Sequence, residues 1–148
     1  LHRVLPGHAT RLGRLADAFA EAARTEVRPA AVIHGDLYES QLVVDGPEIV
    51  GVLDLDGVGP GDPIDDLATL LAHLGYRRRT GEVADASLGH YAGDLRRQFA
   101  AEVGAPALDT VTAAVTVGLA TGPFRHHRPG WELETVTHLA AAERLLGW

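Results

Sequence analysis

Five segments of the chain carry apolar residues at the three- and four-residue spacing of an amphipathic helix. They lie at residues 8–25, 62–75, 86–103, 108–119 and 131–146. In the second segment, Asp62 is suited to cap the helix N-terminus, Pro63 to occupy its first position, and Gly75 to end it. The Arg77-Arg78-Arg79 triplet that follows is then expected to lie in a solvated turn.

Shorter apolar segments, bounded by turn residues, predict strands at residues 31–33, 41–44 and 48–53. The Asp45-Gly46-Pro47 turn favours a β-hairpin from the last two. If the second hairpin strand stays regular, the alternate residues from Val50 to Asp56 share one face, which brings two carboxylates to its end. The predicted fold class is α+β and mostly helical, with about five helices and a small β-hairpin in one domain, residues 1–148.

The composition argues against several kinds of site and partner. The chain has 148 residues, no Cys, no Met and a net charge of -7, and its thirteen basic residues are all Arg. Without cysteine, disulfides and thiolate metal sites are excluded. The acidic balance is unsuited to nucleic acid, and no apolar run reaches the roughly 18 residues of a membrane span. We therefore expect a cytoplasmic protein that binds neither nucleic acid nor membrane, and, since Met is absent even at position 1, a fragment or processed product.

Three motifs carry the chemistry, in the order HGDLYESQ (residues 34–41), VLDLD (residues 52–56) and GDPIDDLA (residues 61–68). The first is a polar loop after a strand, which can hold a carboxylate rigid yet exposed. The second ends an apolar strand in acids, an arrangement that presents ligands to Mg²⁺. The order and spacing of the three motifs resemble those of the aminoglycoside phosphotransferase and choline kinase-like family, a phosphotransferase enzyme family with a protein-kinase-like fold.

The resemblance implies a role for each of five residues. Asp36 occupies the position of the catalytic base, and Asp54 that of the main Mg²⁺ ligand. Gln41 stands where the family has Asn as a second metal ligand, and it offers the same amide oxygen on an arm longer by about 1.5 Å. His34 and Asp66 are expected to support the loop structurally.

The resemblance also implies the fold and the partners. The chain matches the C-terminal lobe of the kinase-like fold, with the hairpin carrying the catalytic and metal loops. The N-terminal nucleotide-binding lobe, with its glycine-rich loop and phosphate-holding Lys, is absent from this sequence, which contains no Lys. The implied activity is phosphoryl transfer from ATP or GTP, with Mg²⁺, to a hydroxyl of a small molecule such as an aminoglycoside, another antibiotic, an amino alcohol or a sugar. The isolated fragment is expected to be inactive, and nothing in the sequence predicts an oligomeric state.

Other interpretations stay open. Asp36 could simply cap its loop, Gln41 could simply begin a strand, and Asp56 is as compatible with a turn as with a metal. The whole chain could be a non-catalytic, pseudokinase-like binding module, or a glycosidase that uses Asp36 and Asp54 as its acid pair. The glycines of residues 57–61 lack the spacing of a dinucleotide-binding loop. Residues 124–128 are expected to form an exposed loop.

Overall fold

The structure, a computed structural model, describes residues 1–25, 28–81 and 86–148. Its helices are α1 (Ala9–Thr25), α2 (Pro63–Thr80), α3 (Ala86–Val103), α4 (Ala105–Leu119), α5 (Gly122–Arg125) and α6 (Trp131–Leu145). Within the described residues, five of these helices have fifteen residues or more, which confirms the predicted mostly helical α+β class. None of the described helices combines the length and the apolar character that a membrane crossing requires.

Two small antiparallel sheets lie between α1 and α2 along the chain. In the first, β1 (Ala31–Ile33) pairs with β4 (Gly59–Gly61). In the second, β2 (Leu42–Asp45) pairs with β3 (Glu48–Val52) across a two-residue turn, so the hairpin lies where the sequence predicts it. The last three residues of the glycine-rich segment thus form strand β4, which hydrophobic patterning does not reveal because its residues are Gly-Pro-Gly.

Helix α2 is longer than the sequence pattern predicts. It continues through Gly75 to Thr80 and ends at Gly81, which adopts the left-handed conformation (φ 72°) that suits a helix C-terminus. The glycine at position 75 leaves room for a side chain instead, because a Cβ there would lie only 2.9 Å from Nη1 of Arg79. The expectation that the arginine triplet forms a solvated turn is therefore wrong, since all three arginines belong to the last turns of α2.

Residues 124–128 begin in the short helix α5 and continue as a turn. The first four side chains of this segment are exposed, as expected, but Arg128 is half-buried. Its guanidinium donates to Glu134 Oε1 (2.8 Å) and to Tyr76 Oη (3.1 Å). This part of the segment is consequently a link between α2 and α6.

Two apolar clusters hold the helices together, and α4 contributes to both. The first joins α1, α4 and α6 and comprises Leu12, Leu15, Ala113, Ala120, Leu139 and Ala142. The second joins α2 and α4, with α3 packed against it, and comprises Ile64, Ala68, Leu71, Ala107 and Leu108. Each fully buried leucine, such as Leu108, stabilises the fold by about 1.5–3 kcal/mol. The first half of α2, which faces the polar loop, is thereby fixed to the helical core.

Candidate functional site

The loop that follows β1 is held by a carboxylate of α2. Asp66 accepts two backbone hydrogen bonds, from His34 N–H (2.7 Å) and from Gly35 N–H (2.9 Å), one on each oxygen. Asp66 lies in the first turn of α2, where a carboxylate is also favoured by the helix dipole. Hydrogen bonds to a charged acceptor are stronger than neutral ones, so this clamp fixes the backbone immediately before Asp36.

Two glycines allow the loop to approach the second motif. Gly35 has a φ of 86°, which an L side chain rarely adopts, and a Cβ there would lie 3.0 Å from the carbonyl oxygen of Gly57. A Cβ at Gly57 would in turn lie 3.0 Å from the carbonyl oxygen of His34. The backbones of the first and second motifs are therefore in direct contact.

His34 joins the two motifs through its imidazole ring. The side chain is buried, with Nε2 2.8 Å from the carbonyl oxygen of Leu53 and Nδ1 3.4 Å from the amide nitrogen of Asp36. Because a carbonyl oxygen can only accept, Nε2 carries the proton and Nδ1 accepts from Asp36 N–H. The ring thus binds the backbone of Asp36 on one side and the residue before Asp54 on the other, and both of its nitrogens are occupied.

The Asp36 carboxylate itself is exposed at the surface of this loop. Its negative charge acts on His73 of α2, a half-buried residue. Burial lowers the pKa of His73 below its ordinary value, while the charges of Glu39 and Asp36 oppose that shift. The arrangement places an exposed carboxylate on a loop whose backbone is fixed, which suits acceptance of a proton from a bound hydroxyl.

Asp54 does not lie on a regular strand face. Strand β3 ends at Val52, and Asp54 takes the left-handed conformation (φ 56°, ψ 58°) before a short 3₁₀ turn at Leu55–Gly57. The expectation that Asp54 and Asp56 share the strand face is wrong, because this turn interrupts the alternation. A non-glycine residue with positive φ is uncommon and is held there by its surroundings, a pattern that functional sites often show.

Gln41 lies directly beside Asp54. Its side chain is 7% exposed, and its amide Nε2 donates to Asp54 Oδ2 at 3.2 Å. The main-chain carbonyl oxygen of Gln41 accepts from Leu53 N–H at 2.8 Å, which fixes the start of the hairpin to its end. The amide group of Gln41 and the carboxylate of Asp54 therefore form one oxygen-bearing pair on the turn after β3.

The oxygen atoms of Asp54 and Gln41 can be compared with the ligands that the predicted Mg²⁺ requires. Within residues 1–25, 28–81 and 86–148, no group of three or more His, Asp or Glu side chains is gathered as a metal site. Mg²⁺ does not need such a group, because it commonly binds one or two protein carboxylates and completes its coordination with waters and substrate phosphates. An exposed carboxylate with an adjacent amide fits that requirement.

Contacts between α2 and the loop residues after Asp36, which the sequence did not reveal, also hold the loop in place. Tyr38 stacks on His73 with ring centroids 4.4 Å apart, and Arg77 forms an ion pair with Glu39 and donates to Ser40 Oγ at 2.8 Å. His73 and Arg77 are four residues apart on one face of α2. That spacing would have indicated a shared surface, but the assignment of Arg77 to a turn concealed it.

Of the two remaining acids of the third motif, Asp62 has a structural role. Asp62 accepts from Ile64 N–H at 3.0 Å and caps α2, as predicted, and it also pairs with Arg28. Burial and the neighbouring charges of Asp62 and Asp66 raise the pKa of Asp65. The fold thus brings Asp36, His34, Asp66, Gln41 and Asp54 to one region, and these five were the predicted site residues.

Comparison of the sequence with known protein families gives a match. The profile described as the phosphotransferase enzyme family matches residues 2–101, about two thirds of the chain. The match begins before α1, ends within α3 and includes the whole site described above. No curated protein and no solved structure matches the chain.

Proposed function

The chain belongs to the phosphotransferase enzyme family, and on that premise we propose that it supplies the catalytic base and the Mg²⁺-binding residues for phosphoryl transfer from ATP or GTP to a hydroxyl of a small molecule. The observation that carries this proposal is the placement of Asp36. An exposed carboxylate stands on a loop that Asp66 clamps and that His34 connects to the turn of Asp54. Aminoglycosides, other antibiotics, amino alcohols and sugars are the acceptor classes to be tested.

Asp36 would act as base and orienting group. As the acceptor oxygen forms its bond to the γ-phosphorus, the bond from that phosphorus to the β–γ bridging oxygen breaks and the nucleoside diphosphate leaves. The hydroxyl proton passes to the Asp36 carboxylate. Positioning supplies most of the catalysis in such reactions, so the bonds that fix the loop backbone are as relevant as the carboxylate itself.

Asp54 would hold Mg²⁺ with the help of the Gln41 amide oxygen. When bound, the metal neutralises charge on the nucleotide phosphates. The carboxylate contributes a full charge and the amide only a dipole, so Asp54 is the stronger ligand of the two. Coordination through Gln41 Oε1 requires the amide to turn, because Nε2 now faces Asp54.

We further propose that the chain acts as the C-terminal lobe of a kinase-like fold and works together with a nucleotide-binding lobe. Three features of the chain support this. It has no Lys to hold nucleotide phosphates, and Arg77, which contacts the loop, is already engaged by Glu39 and Ser40. The strands beside the loop also expose apolar side chains such as Val32 (80% exposed) and Ile49 (61% exposed), which a second lobe would bury.

One observation favours a second candidate, a non-catalytic binding module. The buried Gln41 side chain donates a hydrogen bond from its amide nitrogen to Asp54, so the pair could be a structural contact and not a metal site. A module of this kind would bind nucleotide or a small molecule without turnover. The retained Asp36 on its clamped loop favours the enzyme.

The Asp36→Asn variant tests the proposal in a protein that joins this chain to its nucleotide-binding lobe. Phosphotransfer should be measured with ATP and with GTP against each acceptor class, by release of the nucleoside diphosphate. Loss of the base should lower kcat by roughly 10²–10⁴-fold while the far-UV circular dichroism stays unchanged. Asp45→Asn, an exposed acid at the end of β2, is the matched control and should leave kcat unchanged.

Each other outcome is informative. If Asp36→Asn keeps more than about a tenth of the wild-type rate, the assignment of the base is wrong. If the wild-type protein binds nucleotide but transfers no phosphate to any acceptor class, the binding module replaces the enzyme.

A further inference from the structure

One face of α2 contacts the loop on both sides of Asp36. Asp66, in the first turn, holds the backbone before Asp36 through two hydrogen bonds. His73 and Arg77, two and three helical turns further on, contact the loop residues that follow it. Because these positions return to nearly the same side of the helix, a single face of α2 spans the whole loop.

Arg77 is the residue of this face that contacts two successive loop residues. Its Nε forms an ion pair with Oε1 of Glu39, and its Nη2 donates to Oγ of Ser40 at 2.8 Å. A guanidinium is planar and presents its donors in a rigid fork, so two such contacts define the position of both partners. Glu39 and Ser40 are thereby fixed relative to α2.

The Glu39 carboxylate depends on this arginine. Both of its oxygens are buried, and neither accepts a hydrogen bond from the part of the chain that the structure describes. A buried carboxylate is costly unless a cation compensates it, and the Arg77 guanidinium is the cation in contact with it. The pair therefore constrains the backbone of its turn more strongly than a solvated surface pair would.

The turn that Arg77 holds leads directly to Gln41. Residues Glu39–Gln41 form a 3₁₀ turn, and Gln41 N–H donates to the carbonyl oxygen of Tyr38 at 2.9 Å. The Gln41 side chain then donates to Oδ2 of Asp54 at 3.2 Å. A continuous set of contacts thus runs from Arg77, through the turn, to the carboxylate on the second motif.

We propose that Arg77 is a positioning residue for the metal pair of Asp54 and Gln41, and that it acts through the Gln41 side chain. This inference rests on the proposed function, because it requires Mg²⁺ at that pair. Arg77 itself would contact neither metal nor nucleotide, since Glu39 and Ser40 engage its guanidinium. Removal of a group that orients metal ligands typically lowers metal affinity by about 10–100-fold.

Calorimetric titration of the protein that includes its nucleotide-binding lobe with ADP and with GDP tests the proposal, once with Mg²⁺ and once with EDTA in its place. Arg77→Met should weaken Mg²⁺-dependent binding about ten-fold, at the lower end of that range because the effect passes through a turn. Binding in EDTA should not change. Arg78→Met, an exposed arginine whose Nη1 lies beside Gly89 of α3, is the matched control and should change neither affinity.

A second background shows whether Arg77 acts through Gln41. In Gln41→Ala, the further change Arg77→Met should cause no additional loss of Mg²⁺-dependent binding, because the side chain that transmits the effect is already absent. Equal losses in the wild-type and Gln41→Ala backgrounds would show that the two residues act independently, and would overturn the proposal.

Charge balance is the competing explanation, and a double variant separates it from positioning. Glu39→Gln combined with Arg77→Met removes the buried charge together with its partner, so this protein should fold even if Arg77→Met alone does not. It should still bind the nucleotide about ten-fold more weakly with Mg²⁺. Recovery of wild-type affinity would show that Arg77 only neutralises Glu39, and the proposal would be wrong.

Two further outcomes distinguish this inference from the proposed function. If Arg77→Met binds the nucleotide with Mg²⁺ as tightly as wild type does, and wild type transfers phosphate, the inference fails and the function stands. If wild type binds the nucleotide equally with Mg²⁺ and with EDTA and transfers no phosphate, the proposed function fails and this inference fails with it.

Discussion

At the scale of single residues, the second motif depends on one strained backbone and one amide. Asp54 is held in the left-handed region, a conformation that costs a non-glycine residue about 1–3 kcal/mol. The bonds that hold it come from neighbours. His34 Nε2 donates to the carbonyl of Leu53. The main chain of Gln41 accepts from the Leu53 amide, and its side chain donates to the Asp54 carboxylate. The carboxylate is therefore aimed by groups that do not themselves react.

Substitutions at Gln41 separate metal coordination from structural support. In the protein with its nucleotide-binding lobe, Asp54→Ala should abolish Mg²⁺-dependent activity. Gln41→Asn should keep activity or improve it, because it offers the amide oxygen on the shorter arm of the family's usual residue. Gln41→Ala should fall between and should raise the Mg²⁺ concentration needed for half-maximal rate. The measurement is initial rate across a Mg²⁺ titration for all three variants and wild type.

The comparison of the two Gln41 variants is decisive. If Gln41→Asn and Gln41→Ala both follow the wild-type titration, Gln41 is not a metal ligand. Its buried hydrogen bond to Asp54 would then have a structural role only.

At the scale of elements, α2 connects the site with the rest of the fold. Its first turn supplies Asp66 to the loop, and further along the same side it supplies His73 and Arg77. Toward its end the helix reaches α6, where Tyr76 stacks on His138 with centroids 4.6 Å apart and Arg79 donates to the same ring. The His138 side chain is fully buried, and burial together with the charge of Arg79 lowers its pKa to about 4.

This buried histidine should make stability depend on pH. In the unfolded chain the imidazole has its ordinary pKa of about 6.5, so between pH 6.5 and 4 the unfolded state binds more protons than the folded state. The stabilisation that the neutral His138 side chain contributes to the folded state is complete above pH 6.5 and is lost as the pH falls toward 4. We expect a loss of about 2 kcal/mol in the free energy of unfolding from pH 7.5 to pH 5, measured by urea denaturation.

His138→Gln should remove most of this pH dependence, since the amide does not titrate and its oxygen can still accept from Arg79. His126→Gln, at an exposed position, should leave the pH dependence of wild type unchanged. A wild-type slope that persists in His138→Gln would show that other groups cause it.

Sequence could predict those elements whose ends are fixed by local chemistry. Asp62 caps α2 through its own neighbour Ile64, and the hairpin turns where Gly46 and Pro47 stand. The continuation of α2 through Gly75 could not be predicted in this way, because Arg79 covers that glycine and bonds a distant helix. Strand β4 is equally non-local, since only its pairing with β1 makes it a strand.

In the site, too, some features follow from local sequence and others from contacts between distant residues. The motif residues could be named from their order along the chain, and the fold brings them together. The positions of Tyr38, His73 and Arg77 beside the loop could not be inferred, because they follow from the packing of α2 against residues far away in sequence. The left-handed turn at Asp54 likewise depends on contacts with His34 and Gln41, which no pattern of strand alternation contains.

At the scale of the whole molecule, exposed apolar surface is concentrated around the site. Nine of the thirteen large hydrophobic side chains exposed among the described residues lie between Val32 and Val58, on or beside the small strands. The helical part of the chain, in contrast, buries its leucines in two clusters with α4 between them. These exposed apolar side chains would be covered by the nucleotide-binding lobe proposed above.

The 148-residue chain alone is therefore expected to fold but not to catalyse. It has no Lys to hold nucleotide phosphates, and the open strand surface lets water reach Asp36 and Asp54. Incubated with labelled ATP or GTP, Mg²⁺ and the acceptor used by the two-lobe protein, it should give no product above that of its own Asp36→Asn variant. Circular dichroism with a cooperative thermal transition would establish that the chain is folded in the assay. Turnover by the folded chain that disappears in Asp36→Asn would keep the assignment of the base but would show that this chain needs no second lobe.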